Sequence, residues 1–433
     1  MTEQNGLHSA GAAANQNRSA RTAHFAEPNM PFAEFIVLMA LLMSLAALCT
    51  DSIMPAFGVI GEEFGHNTPQ ELQKIITIFF AGLAIGQLIY GPLSDQIGRK
   101  SGMFIGLVIF IIGNLISWFS TSFEMLLLGR FLQGFGVAGP RIVMIALIRD
   151  LYAGREMARI MSFVMGLFIF VPALAPITGQ TIMAISGWRS VFFSFILLSS
   201  IGGIWLAIRQ NETLHASRRI RVTPTNLWRG TKIIFTTPSC LGYMVAVGFV
   251  QGPFMLYLST AQHLFQSTYG LGTLFPYAFA GLAISLGFAS FMNSKLVLRF
   301  GMRYLVRRAL VAIIFISALT LACTMPFDFI PDLWMLFLFF SPLFFCTGLL
   351  FGNMNTLAME EVGNVAGLAS AWVGAISTLI AMTIATLMGQ IYDGSILALL
   401  GSFLFGAIIT MFLTVFTERW RDRRDSEQSA TAQ

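Results

Sequence analysis

Long apolar stretches alternate with short polar connections along almost the whole chain. A helix needs about 20 apolar residues to cross the roughly 30 Å hydrocarbon core of a bilayer, because it rises about 1.5 Å per residue. Twelve stretches reach that length, so the pattern predicts twelve transmembrane helices. Their approximate limits are 34–60, 71–94, 102–121, 125–148, 157–185, 189–208, 237–262, 271–293, 304–325, 333–357, 366–391 and 395–417.

One longer hydrophilic segment, Arg209 to Lys232, divides the twelve stretches into six and six. The pattern therefore predicts an all-α membrane protein with two pseudo-symmetric six-helix bundles. Paired helical halves with a binding site between them are typical of transporters that rock between two states. The predicted organisation is a disordered tail (1–30), a first bundle (31–209), a linker (210–235), a second bundle (236–417) and a final tail (418–433).

Basic residues fall in alternate connections, which predicts the orientation. They concentrate at Arg99–Lys100, Arg155–Arg159, Arg209–Lys232, Arg299–Arg308 and Arg419–Arg424. Because cytoplasmic loops carry the excess of lysine and arginine, we expect both termini in the cytoplasm of a bacterial inner membrane. The isoelectric point of about 9.2 then reflects topology and contact with anionic lipid, and nucleic-acid binding is not expected.

The composition agrees with a protein embedded in lipid. Hydrophobic residues make up 56% of the 433 residues, and 41 are phenylalanine. The four cysteines lie alone in apolar stretches, without the spacing of metal ligands or of a disulfide framework. Catalytic carboxylate pairs and phosphate-binding glycine loops are also missing from the sequence. We therefore expect neither an enzyme nor a cofactor or metal site, and a channel or receptor remains the remote alternative.

Charges inside the predicted spans are costly in lipid and therefore informative. Three qualify: Asp51 in the first span, and Arg130 and Arg141 in the fourth. Asp51 is the candidate proton carrier by elimination, and its depth is similar to that of Arg130, which we expect to hold it ionised. Arg141 follows Arg130 by eleven residues, which places it on nearly the same helical face about 16 Å deeper, and Gln133 shares that face. Alternatively, Asp51 and Arg130 form an ion pair that only fixes packing, and Arg141 extends to the membrane surface.

The second half contributes uncharged candidates. Four residues of the second half could add aromatic and amide surface to a central cavity, although ordinary packing is the more common role for any one of them: Gln251, Phe254 and Tyr257 in the seventh span and Trp372 in the eleventh. The three intramembrane charges sum to +1 when Asp51 is ionised, which disfavours cationic substrates.

The connection between the second and third spans, GPLSDQIGRK, concentrates turn and charged residues. Asp95 ends the second span where the eleventh begins, and a carboxylate near a helix amino terminus gains about 0.3 to 1 kcal/mol. We predict a latch between the halves on this side, with Arg99 reaching Asp150; alternatively, these charges only anchor the loop. The predicted latch residues are Gly91, Asp95, Gly98, Arg99, Lys100 and Asp150. In the second half, NSKLVLRFGMR repeats the glycine and the base at Gly301 and Arg303, but Leu298 replaces the acid.

Several motifs in order resemble one family. GPLSDQIGRK is similar to the loop signature of the major facilitator superfamily. TDSIMPAF (50–57), RFLQGFGVAG (130–139), RDLY (149–152), GWRSVFF, ETL and AGLASAWVG (366–374) resemble its proton-coupled multidrug antiporters, and within them the bicyclomycin-resistance (Bcr/CflA) group. The resemblance implies a charge relay from Arg99 to Asp150. One departure is Gln180, which follows Gly179 where the family has a second glycine, so the cavity lining near Gln180 becomes a candidate substrate contact.

The expected function is proton-coupled efflux of small amphipathic, mostly neutral drugs or metabolites by alternating access. The family resemblance implies neutral antibiotics of the bicyclomycin or chloramphenicol kind as substrates. The proton gradient would drive it without a cofactor, and the protein would act as a monomer in contact with protons, lipid and a small-molecule substrate. The alternative is a proton symporter or exporter of one polar solute, but the uncharged second half favours antiport. The expected substrate contacts are Asp51, Arg130, Gln133, Arg141, Gln180, Gln251, Phe254, Tyr257 and Trp372, and the expected proton-coupling pair is Asp51 with Arg130.

Overall fold

The computed structural model describes residues 30–152, 154–219 and 223–431. The predicted tail 1–30 therefore lies outside the described residues except for Met30. Helices account for all regular structure in the described ranges. Twelve helical segments there are long and apolar enough to cross a membrane, which confirms the predicted number and order of spans.

The first half contains seven helices, because the first span is broken. They are α1 (Phe32–Asp51), α2 (Phe57–Phe64), α3 (Pro69–Ile97), α4 (Arg99–Trp118), α5 (Phe123–Leu151), α6 (Gly154–Ser186) and α7 (Arg189–Arg209). The linker contains α8 (Pro224–Thr236). The second half contains α9 (Pro238–Gln262), α10 (Phe275–Phe300), α11 (Met302–Thr324), α12 (Leu333–Met359), α13 (Ala366–Gln390) and α14 (Leu397–Thr431). Thus α14 continues as a helix into the segment expected to be the final tail.

The break in the first span has a local cause. Helix α1 ends at Asp51, a 3₁₀ turn follows at Met54–Ala56, and α2 continues outward. Pro55 has no N–H group, so it cannot complete the helical hydrogen bond to the carbonyl of Asp51 four residues earlier. The chain therefore changes helix type directly after its one intramembrane acid.

Matching turns connect the second and third spans of each half. Gly98 lies between α3 and α4 with φ of +107°, and Gly301 lies between α10 and α11 with φ of +79°. Only glycine adopts such angles without strain, which explains why both connections keep a glycine. The repeated glycine noticed in the sequence therefore has a repeated structural role.

Small residues allow α5 to pack closely against its neighbours. A Cβ on Gly134 would overlap the backbone of Phe79 in α3, and one on Gly136 would overlap the backbone of Phe110 in α4. In lipid, van der Waals packing of close backbones is a main source of helix association. Helix α5 is thus held at the centre of the first half, with its polar face fixed in direction.

The halves meet along two helix pairs, α3 with α13 and α6 with α10. We call the end of the molecule that carries Arg99 and Arg303 the basic end, and the other the opposite end. At the opposite end, Gln70 donates to the carbonyl of Tyr392 (3.1 Å) and Gln73 donates to the carbonyl of Ala385 (2.7 Å). These two bonds join the halves at the opposite end.

Candidate functional site

A cavity of about 340 Å³ lies between the two halves. Helices α1, α3, α5 and α6 line it from the first half, and α9, α10, α12 and α13 line it from the second. Its aromatic wall consists of Phe79, Phe80, Phe168, Phe254, Tyr257, Phe279, Phe344 and Phe351. Its polar lining consists of Thr50, Asp51, Gln87, Arg141, Gln251, Asn355, Ser377 and Thr378. Such a surface suits an amphipathic molecule with few hydrogen-bonding groups.

Asp51 lies on the cavity wall as the last residue of α1, with only 4% of its surface exposed. Its carboxyl forms no hydrogen bond or ion pair with any residue that the structure describes. An ionised carboxylate without a partner is costly to bury, whereas the protonated form is much less so. Asp51 is therefore the one carboxyl on the cavity lining, and it meets the cavity contents without a partner among the described residues.

Arg130 lies behind the cavity wall rather than on it, and it is completely buried. Its Nη1 donates to the carbonyl of Cys49 (3.0 Å) and to Gln133 (2.7 Å), and its Nε donates to the carbonyl of Ile75 (3.1 Å). Its guanidinium also lies 4.7 Å from the ring centre of Phe79. Arg130 therefore ties α5 to α1 and α3.

The expected ion pair between Asp51 and Arg130 is not formed in this structure. The guanidinium is directed to backbone carbonyls, one of them only two residues before Asp51, and its Nη2 is left buried without a hydrogen bond. Gln133, expected in the cavity, instead accepts from Arg130 and donates to Ser117 (3.0 Å). Both side chains support the wall on which Asp51 lies.

Arg141 does line the cavity, as expected. Its guanidinium makes no hydrogen bond or ion pair within the described parts of the chain. The charged groups of the lining are then Asp51 and Arg141, which cancel when Asp51 is ionised and leave +1 when it is protonated. The sum of three charges considered from the sequence does not apply to the cavity, because Arg130 is packed away from it.

The second half places Gln251, Phe254 and Tyr257 on the cavity wall, as expected. The Tyr257 ring stacks on Phe279 at 5.6 Å between ring centres and meets the edge of Phe344 at 4.7 Å. Its hydroxyl is buried and has no hydrogen-bond partner in the part of the chain that the structure describes. Two unpaired polar groups, one from each half, thus face the same space.

Besides Arg130 and Gln133, two further expected contacts lie outside the lining. Gln180 is packed beside Gly179, where α6 approaches the backbone of Ser52 so closely that a Cβ would overlap it, and the Gln180 Oε1 is buried without a partner. Trp372 belongs to α13 and its side chain contacts the linker helix α8, where its Nε1 donates to Thr231 at 3.1 Å. Both side chains are held at helix contacts beside the cavity.

Two lining amides were missed from the sequence, Gln87 in α3 and Asn355 in α12. Gln87 also lies against α13, since a Cβ on Gly374 would overlap its side chain. The available signal was the amide itself, an uncharged polar group inside an apolar span. That signal is weak, because an amide of this kind also forms contacts inside a bundle, as Asn353 does with Asn293 at 2.7 Å.

The connection between α3 and α4 forms a charge network at the basic end. Arg99, which is buried, donates to Asp150 at the end of α5 (2.8 Å) and also pairs with Asp95. Glu212, beyond α7, accepts from the backbone N–H groups of Arg99 (2.9 Å) and Lys100 (3.1 Å), which caps the amino terminus of α4. The expected approach of Arg99 to Asp150 is present.

The predicted latch requires contact with the second half as well. Gly91 lies beside α13, where a Cβ would be 3.7 Å from that of Ala371, and Gly98 faces Glu212. Asp95 bonds to Arg99, and Val365, the residue before α13, has no side-chain hydrogen bond capping that helix. The structure therefore places the network beside α13, with its hydrogen bonds inside the first half.

The second half has a matching network. Arg303 donates to Glu418 in α14 at 3.0 Å and pairs with Glu360 at the end of α12. Tyr243 also donates to Glu418, at 2.6 Å. In the position of Asp95, Leu298 is 88% exposed. Arg303 thus pairs with two acids, as Arg99 does in the first half. This likeness between the two networks is visible in the structure but not in the aligned sequences.

Comparison with known proteins identifies the family. Residues 39–386 match the family model described as Major Facilitator Superfamily. This chain belongs to that superfamily of membrane transporters. A solved structure described as a D-xylose-proton symporter shares the fold with a TM-score of 0.70 at 15% identity, covering 89% of this chain and 96% of that one.

Relatives of this transporter support the narrower resemblance. It is 29% identical to the "Uncharacterized MFS-type transporter YdgK" of Bacillus subtilis, over 81% of this chain and 87% of that protein. It is 28% identical to the "Bicyclomycin resistance protein homolog" of Haemophilus influenzae, over 79% of this chain and 85% of that protein. It is also 31% identical to the "Multidrug resistance protein MdtL" of Salmonella dublin, over 37% of this chain and 40% of that protein. The predicted resemblance to the bicyclomycin-resistance and multidrug group is confirmed by these relatives.

Proposed function

We propose that this transporter is a proton-coupled efflux carrier for small amphipathic, mostly neutral drugs or metabolites, which works by alternating access. The observation that carries the proposal is Asp51, a buried carboxyl on the wall of a cavity shared by both halves, without a partner among the residues that the structure describes. Relatives named for bicyclomycin and multidrug resistance support the substrate class. The aromatic wall supports it as well, since it offers broad apolar contact and few fixed polar groups.

The chemistry of Asp51 gives the direction of coupling. An ionised carboxylate only accepts hydrogen bonds, and a substrate hydroxyl or amide N–H can donate to it. A hydrogen bond to a charged group contributes about 1 kcal/mol more than one between neutral groups, which is roughly a fivefold preference. A donor-bearing substrate therefore favours the deprotonated cavity, and a proton on Asp51 favours its release. Mutual exclusion of this kind is what antiport requires.

The charge of the cavity limits which substrates can be exchanged. A cation would bind weakly even when Asp51 is ionised, because the charges of the lining then cancel and Arg141 repels it. An anion would bind best to the protonated cavity, which would couple it in the same direction as the proton. Neutral molecules that carry hydrogen-bond donors are therefore the class best suited to exchange with protons.

The setting follows from the distribution of charge. We propose that the basic end faces the cytoplasm of a bacterial inner membrane, so that both termini are cytoplasmic. The cavity is built by one chain, which supports a monomer as the working unit. The proton gradient would supply the driving force without a cofactor.

Proton release from everted membrane vesicles tests the proposal. A pH-sensitive dye reports a preformed gradient, and chloramphenicol or another neutral amphipathic antibiotic is then added. We expect the drug to dissipate the gradient with the wild-type protein and to have no effect with Asp51→Asn. A gradient that is unaffected by drugs but is coupled to entry of a sugar or amino acid would instead support the symporter.

A further inference from the structure

The linker helix α8 exposes a basic and aromatic face that the transport cycle does not explain. Trp228 is 71% exposed, and Arg229 and Lys232 are also exposed. The helix reads PTNLWRGTKIIFT and contains no acidic residue. An exposed tryptophan followed by two exposed bases is unusual on a surface that meets only water.

The other face of α8 is fixed to the transporter. Gly230 and Ile234 are buried, and Gly230 lies so close to Leu368 of α13 that a Cβ would be 2.6 Å from its Cδ2. Phe235 meets the edge of Trp372 at 5.2 Å, and the same indole donates to Thr231. Helix α8 therefore moves with the first turns of α13.

The position of α8 places it at a membrane surface. Thr237 alone separates it from α9, which begins the seventh span at Pro238. With 13 residues it is too short to cross a bilayer. Short helices with an aromatic flank and basic residues are typical of the interface, where the indole lies among headgroups and the bases attract anionic lipid.

We propose that α8 is a membrane-surface helix that binds anionic phospholipid headgroups through Arg229 and Lys232, with Trp228 in the interfacial layer. The partner follows from charge complementarity, since this face carries two bases and no acid. Because α8 is fixed to α13, bound lipid would also restrain the start of α13 beside Gly91. The location of this face at the cytoplasmic leaflet rests on the proposed orientation.

Reconstituted full-length protein tests this binding. Nanodiscs are made with phosphatidylcholine alone or mixed with phosphatidylglycerol, and brominated forms of each lipid quench tryptophan that they contact. The chain has seven tryptophans, so the difference between wild type and Trp228→Phe isolates the signal of Trp228. We expect brominated phosphatidylglycerol to quench Trp228 several-fold more strongly than brominated phosphatidylcholine does.

A pair of variants tests the role of the two bases. Arg229→Gln with Lys232→Gln should lose that preference, because each base near an anionic surface contributes about a fivefold gain in local lipid binding. The control, Arg307→Gln with Arg308→Gln, removes the same charge from exposed residues of α11 and should keep the preference.

Three outcomes would overturn the proposal. Equal quenching by both lipids would indicate a surface without charge preference. Quenching of Trp228 by soluble acrylamide alone would place the face in water, where an acidic protein could bind it. An equal loss in the control would assign the attraction to net charge. The readout is lipid contact, so it stands even if the proposed antiport fails.

Discussion

The first half of this transporter carries the charges of the cavity, whereas the second half contributes aromatic rings and uncharged polar groups. Asp51 and Arg141 come from the first half, and Gln251, Tyr257 and Asn355 come from the second. Two bundles of the same architecture therefore present chemically different walls to one space. Under the proposed mechanism, proton exchange therefore depends on the first half and substrate shape on the second.

The basic ends of the two halves differ in a related way. Arg99 pairs with Asp95 and Asp150, and Arg303 pairs with Glu360 and Glu418. Each base connects three helices of its own half. Only the first network contains an acid on the span that packs against the other half, because Leu298 occupies the matching position. Symmetry of fold thus coexists with asymmetry of charge.

The largest expected effect comes from removing the acid of the first half. Asp51→Asn keeps size and polarity but cannot take up or release a proton, so efflux driven by a pH gradient should fall to the level of vesicles without the protein. Counterflow of drug without a gradient should persist, as should the unfolding temperature. Thr50→Ser, one residue earlier on the same wall, serves as control and should transport normally. Gradient-driven efflux by Asp51→Asn would contradict the assignment.

A second prediction compares the two arginines of α5. Arg130→Lys should lower the free energy of unfolding by about 2 to 4 kcal/mol, because a lysine cannot reach the carbonyls of Cys49 and Ile75 together with Gln133. Arg141→Lys should cost less than about 1 kcal/mol, since Arg141 has no partner to lose. Thermal unfolding in detergent measures both. Equal losses would show that Arg130 has no special role in holding α1, α3 and α5 together.

A third prediction compares the basic ends. Asp95 lies one helical turn beyond Gly91, which is beside α13, so we expect its charge to act on the positive amino terminus of α13. Asp95→Asn should slow transport about threefold to fivefold with normal expression, as expected from a loss of up to about 1 kcal/mol. Glu360→Gln, which breaks a bond inside the second half, should leave the rate within about twofold. Unchanged transport by Asp95→Asn would contradict the predicted latch between the halves.

The smallest expected effect comes from the Tyr257 hydroxyl in the second half, where drug affinity and stability should change independently. Tyr257→Phe removes a buried hydroxyl that has no hydrogen-bond partner, so stability should stay the same or rise by up to about 1 kcal/mol. Drug affinity should fall about threefold if that hydroxyl meets substrate. Tyr243→Phe is the matched control, because it removes a hydroxyl that donates to Glu418, and it should lower stability without affecting affinity. A loss of stability in Tyr257→Phe would show a structural role instead.

Much of the site could be predicted because charges are so costly in lipid. The length of an apolar stretch is enough to predict a span, and a charge inside a span is rare. Asp51 and Arg141 could therefore be predicted to lie on the cavity wall from the sequence. Amides and aromatics gave weaker signals, since they also serve ordinary packing. The structure places Gln251 and Tyr257 on the cavity wall, as predicted, but it places Trp372 against the linker helix. Gln87, which lines the cavity, was not predicted.

The sequence by itself determined the twelve spans, their division into two halves and the family, since each depends on hydropathy or on local motifs. Tertiary structure alone decided where the guanidinium of Arg130 points, because its partners are backbone carbonyls on two other helices, which no pattern of residue types records. It likewise decided that Glu360 and Glu418 supply the acids of the second network from distant spans, because the sequence showed only that Leu298 stands in the place of Asp95. Side-chain direction and pairing across helices depend on the packed bundle, and only the folded chain fixes them.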